Sequence, residues 1–134
     1  MHTEADSHSM IIPDMCVLGT AGAEVHPDLY TLPTDVVLSC EAEPMLDEYS
    51  CLSSGRLSEI VMSMGLTSVF VCGMLSEVAV RFTALELLLE HPQLSVSVVE
   101  DACCGVSEGH IAKAFQQLEL EGVQVVTSDG PEVA

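Results

Sequence analysis

The chain has 134 residues, 49% of them apolar, which is material for one buried core and leaves no room for a second domain. Three basic residues, Arg56, Arg81 and Lys113, stand against 21 acidic ones for a net charge of -18; that field repels phosphate backbones and anionic lipid, which excludes nucleic acid and membrane surfaces as partners, and it serves either solubility alone or a basic protein partner. No stretch reaches the roughly 18 uninterrupted apolar residues of a membrane helix, and the start, MHTEADSHSM, lacks the layout of a signal peptide, so a soluble intracellular protein, cytoplasmic by default, is expected.

Residues 1–10 are expected to be a disordered tail and 129–134 a second loose end, leaving 11–128 as the domain. Residues 11–34 carry Gly and Pro at turn spacing and predict an ordered loop segment. DVVLSC, 35–40, reads as a strand, followed by an acidic loop and a helix near 53–64 that Gly65 closes. Three β-branched runs follow, at 67–72 (TSVFVC), 94–100 (LSVSVVE) and 123–127 (VQVVT), beginning about 28 residues apart. Between the first two, Val78, Phe82, Leu85 and Leu89 recur at three and four and predict one buried helical face. Between the second and third, Ile111, Phe115 and Leu118 do the same, with Gly122 at the C-cap. Strands alternating with helices predict an α/β fold of the doubly wound class, a mostly parallel sheet with helices on both faces.

Six cysteines, at 16, 40, 51, 72, 103 and 104, come without a secretory signal or a C-x-x-C pair and predict reduced thiols. Cys103 and Cys104 are adjacent and diverge on a strand, so no metal or cofactor is expected.

Ligands of such sheets gather where strand ends meet helix N-termini. Three corners qualify: Cys72 to Ala79, Glu100 to Gly105, and Ser39 to Glu41. At the first, Ser76 is the sole hydroxyl; it is a nucleophile only with a base beside it, and an N-cap serine otherwise. Cys72, at the end of an apolar strand, predicts a buried, inert thiol. Glu100 and Asp101 read either as an acid–base pair or as a strand end followed by a helix cap.

The run Val71 to Ala84, VCGMLSEVAVRFTA, resembles the nucleophile motif of the nicotinamidase and isochorismatase-type cysteine hydrolases, v-x-G-[LV]-x-[TS]-[DE]-x-C-V-x-x-T-A, with Ala79 at the cysteine. Cys16 to Glu24 followed by His26-Pro27-Asp28-Leu29 is similar to the nicotinamidase loop C-V-x-G-T-x-G-A-E-x-x-P-x-L, and Asp47 to Ser50 is similar to its D-x-Y-S. Downstream, Val98 to Cys103 and Gly122 to Val126 fit the family's last two strands, so the resemblance runs over 12–128.

The resemblance implies a fold, and a mechanism this chain is not equipped for. In the family a cysteine thiolate attacks an amide carbonyl with help from an aspartate and a lysine, and water cleaves the acyl-enzyme. Here Ala79 replaces the nucleophile and Cys40 the lysine that ends the strand, and the aspartate's strand lies before any residue matched, as in a protein shortened at its N-terminus. Met15 occupies the position of a metal-ligating histidine, which leaves no metal site. Backbone N–H groups of Leu75, Ser76 and Ala79 are what remains to cradle an oxyanion, which leaves room for weak binding of a small amide or carboxylate. With the first two family strands lacking, the strand at 67–72 is left with an open edge, and a protein partner or self-association is expected there. The function expected is that of a catalytically inactive nicotinamidase-like subunit; the alternative is an amide hydrolase turning nicotinamide to nicotinic acid through a rearranged site at Cys72, Cys103 or Ser76, or one completed by a partner. An incomplete product without a function of its own is the third possibility.

Overall fold

The computed structural model describes residues 16–38, 55–131 and 133. The chain divides into two units, Met1–Val36 and Val37–Ala134. In the first, the described residues form turns around one 3-10 turn, Ala21–Ala23, in keeping with an ordered loop. The strand predicted over 35–40 is not found at 35–38. Asp35 instead closes a turn, its N–H donating to the Leu32 carbonyl at 3.0 Å and its carboxylate accepting the Leu32 N–H at 2.8 Å. An aspartate that satisfies its neighbours' backbone competes with a strand for the same groups. Residues 39, 40 and 47–50, and Met15 of the loop motif, lie outside the described residues.

The second unit has α1 (Arg56–Ser63), β1 (Ser68–Met74), a π-turn (Ser76–Val80) running into α2 (Arg81–Glu90), β2 (Ser95–Cys104), α3 (Glu108–Glu121) and β3 (Gln124–Val126). The strands form one sheet in the order β1-β2-β3, both pairings parallel. The predicted alternation of parallel strands and crossover helices is therefore present.

Side chains alternate across a strand, so Val69 and Val71 of β1 join Val96 and Val98 of β2 and Val125 of β3 on one face. Val61 of α1, Val80, Ala84 and Leu87 around α2, and Phe115 and Leu118 of α3 share that core. The α3 face is as predicted, and Gly122 closes the helix in a left-handed C-cap.

The α2 face is not. Leu89 is 79% exposed, and the inward residues are Val80, Ala84 and Leu87. The π-turn adds a residue to the first helical turn and so changes the phase of Val78 alone against α2; within α2 the buried stripe is Ala84 and Leu87, and of the predicted series Leu85 packs at the edge of the core. β2 also runs to Cys104, four residues beyond the predicted end. Beyond β3, Gly130 and Val133 close successive turns onto Thr127 and Gly130, where a loose end was expected.

Candidate functional site

β1 leaves regular pairing at its carboxyl end. Val71 faces Val98, but Gly73 faces Cys103, so β2 bulges between those positions. Gly73 has φ 124°, a conformation that residues with a Cβ avoid, although nothing lies within 4 Å of where its Cβ would sit. The backbone conformation, not lack of space, calls for glycine here. Leu75 follows in extended conformation after a cis peptide bond, and its carbonyl accepts the N–H groups of Val78 and Val80, each at 3.1 Å. Ala79 lies between them inside the turn, half-buried.

This corner is where chemistry is expected, and the structure corrects two expectations about it and one about the second corner, Glu100 to Gly105. Ser76 is not an N-cap: Leu75 holds that position without a side-chain bond, and Ser76 is buried with its Oγ unpartnered. Cys72 is exposed. The buried face of β1 belongs to Val69 and Val71, and Cys72 alternates onto the opposite face. Glu100 and Asp101 are neither a strand end nor a cap, since they lie within β2. Nor does Asp101 pair with Glu100 for acid–base work. It accepts the N–H of Ser128 at 2.8 Å and its Oγ–H at 2.5 Å, and these bonds hold its carboxyl below the usual aspartate range.

Of the thiols near the corner, Cys103 donates to the Val99 carbonyl at 3.2 Å. Burial pushes its pKa up, outweighing the opposing effect of the Gly73 backbone, so the thiol form is favoured. Cys104 lies 4.0 Å from the Met74 sulfur. The four described cysteines, 16, 72, 103 and 104, are all free.

Sequence spacing missed what fixes the corner in place. The Glu77 carboxylate accepts the Val106 N–H with its two oxygens at 3.0 and 3.3 Å, tying the π-turn to the loop after β2. That loop approaches closely because residue 105 is glycine: a Cβ there would stand 2.7 Å from Ile111 Cγ1 and 2.9 Å from Glu77 Oε1. A Glu and a Gly 28 positions apart give no local signal. Ser58 Oγ and the buried His91 Nε2 are likewise 2.8 Å apart, joining α1 to the end of α2.

Among the described residues no three His, Cys, Asp or Glu side chains come together in a way that would hold a metal ion. Nor, among those residues, is any helix long and apolar enough to cross a membrane.

The family model described as the Isochorismatase domain matches residues 5–130. The nicotinamidase of Escherichia coli (strain K12) is 30% identical over 125 residues, covering 86% of this chain and 57% of that protein. Among solved structures, the pyrazinamidase of Pyrococcus horikoshii, in complex with zinc, superposes with a TM-score of 0.75 at 31% identity, over 86% of this chain and 62% of that one. PnC1 of L. infantum, in complex with nicotinate, gives 0.79 at 29% identity, over 92% and 64%. The chain thus spans little more than half the length of the curated relatives it matches. By the extent of the family match and the agreement of the parallel sheet with these structures, the chain belongs to the isochorismatase domain family.

Proposed function

We propose that this chain is a non-hydrolytic member of its family, serving as an interaction or structural subunit. The observation that carries the proposal is Ala79 inside the π-turn after β1, at the place where the family motif has its cysteine. A methyl group has no lone pair with which to attack an amide carbonyl, and losing one member of a catalytic set removes several orders of magnitude in rate. The neighbouring candidates do not replace it. Ser76 Oγ touches no base, Cys103 is held as a thiol, and Cys72 pairs with no base among the described residues. The position equivalent to the lysine, Cys40, supplies no permanent cation.

One observation favours a second reading, a nicotinamide amidohydrolase completed by another chain: the match covers only 57% of the E. coli nicotinamidase. In that case the backbone of Leu75, Ser76 and Ala79 would form the oxyanion cradle and the partner would bring the nucleophile. Ammonia release from nicotinamide separates the two, measured for the purified chain, for Ala79→Cys and for the chain isolated from its source with whatever protein remains bound, since only the last holds the partner that the second reading requires. Silence from all three is expected. Hydrolysis by the unmodified chain that one Cys or Ser substitution abolishes would overturn the proposal.

A further inference from the structure

A cleft of about 210 Å³ opens between the start of α2 and the first turns of α3, lined by Glu77, Arg81, His110, Lys113, Ala114 and Gln117. Two of the chain's three basic residues meet there. On α3 the spacing 110, 113, 117 puts His110, Lys113 and Gln117 on one stripe, and the buried Ala114 packs beneath them.

Arg81 is held rather than free. Its Nε donates to the Glu77 carbonyl at 3.0 Å, its Nη1 to Gln117 Oε1 at 3.1 Å, and its guanidinium carbon lies 4.7 Å from the centre of the Phe82 ring. Both acceptors are neutral. The one carboxylate lining the cleft, that of Glu77, is engaged by the Val106 N–H instead. Lys113 pairs with no carboxylate among the described residues.

Carboxylates outnumber cations 21 to three in this protein, so partners for these two were abundant. Both cations instead line one cleft, Arg81 at the junction of the π-turn with α2 and Lys113 in the second turn of α3. Across the cleft two cations therefore face one carboxylate, and the guanidinium is already oriented by two hydrogen bonds and a ring. We propose that this cleft binds a small oxyanion, a carboxylate or phosphate group, with Arg81 and Lys113 supplying the opposing charge and Gln117 fixing the guanidinium. The cleft shares Glu77 with the corner at Ala79, but its anion binding does not depend on whether that corner hydrolyses anything.

Backbone-amide NMR titration with inorganic phosphate, and separately with sodium acetate, tests it, with sodium chloride at matched ionic strength as the reference. Saturable shifts centred on Arg81, Lys113 and Gln117 are expected in at least one arm, and the stronger arm tells phosphate from carboxylate. Lys113→Gln and Arg81→Gln should each weaken binding about tenfold, as loss of a charge-assisted hydrogen bond does. Arg56→Gln, which removes the same charge elsewhere, should leave affinity unchanged. Shifts that match chloride in both arms would overturn the proposal, and so would equal weakening by Arg56→Gln.

Discussion

The Glu77 carboxylate receives the Val106 N–H at 3.0 Å, a bond 29 residues long in sequence that joins the turn after β1 to the loop after β2. Gly105 lets the two approach. Glu77→Ala leaves that N–H without its charged acceptor and should cost about 1–2 kcal/mol. Gly105→Ala drives a methyl group into Glu77 and Ile111 and should cost about 1–3 kcal/mol. Because the carboxylate is part of what the new methyl meets, the double variant should lose less than the sum of the single losses. Urea unfolding of all four proteins checks this, and strict additivity would show that the two residues act independently.

Asp101 and Ser128 give a prediction with a definite sign in pH. The two Ser128 donors favour the carboxylate, so the folded-state pKa lies below the unfolded one. The stabilisation is therefore fully present above the unfolded-state aspartate value and is lost as pH falls through the folded one. Ser128→Ala removes the hydroxyl donor, and the Asp101 pKa should move up toward the usual aspartate range. A carboxyl-carbon NMR titration reads that shift directly. An unchanged Asp101 titration in Ser128→Ala would mean that the hydroxyl bond contributes nothing.

Core packing separates two leucines that look alike in sequence. Leu87 is 1% exposed and Leu89 79% exposed. Leu87→Ala should cost about 2–5 kcal/mol by the cavity it leaves, and Leu89→Ala should stay within about 0.5 kcal/mol. Denaturant midpoints for the two variants decide between this order and the reverse, which the periodicity from Val78 would have predicted.

That pair shows where the sequence was legible and where it was not. The β-branched runs, the α3 stripe of Ile111, Phe115 and Leu118, and the cap at Gly122 are local patterns, and each appears in the fold. The α2 stripe differs from the expected one because α2 is apolar on more than one side, with Phe82, Leu85, Leu88 and Leu89 beside Ala84 and Leu87, so periodicity alone does not choose the buried face; the π-turn, which no residue type from Ser76 to Val80 marks, shifts only Val78. The strand expected over 35–40 failed at 35–38 because the Asp35 carboxylate bonds locally to the Leu32 backbone. Cys72 was expected to be buried because an apolar run says nothing about which of a strand's two faces is covered. At the site itself, the alanine at position 79 was readable from motif spacing. The tie from Glu77 to Val106 and the meeting of Arg81 with Lys113 depend on the tertiary path and have no local signature.

The sheet edge at β1 leads to the last prediction. Among the described residues β1 pairs with β2 alone, and Phe70 and Met74 are 42% and 69% exposed on it. An unpaired strand edge with apolar side chains is a template for another chain, and covering it gains about 25 cal/mol for each Å² of apolar surface removed from water. Edge strands that stay single are commonly guarded by lysine or proline, and Ser68–Met74 contains neither. Sedimentation equilibrium should therefore find species heavier than the 14.3 kDa monomer. Phe70→Lys puts a charge on that strand and should shift the distribution toward monomer. A single 14.3 kDa species over the micromolar range, unfolding cooperatively, would show that the edge of β1 needs no partner, and the proposed role as an interaction subunit would lose its docking surface.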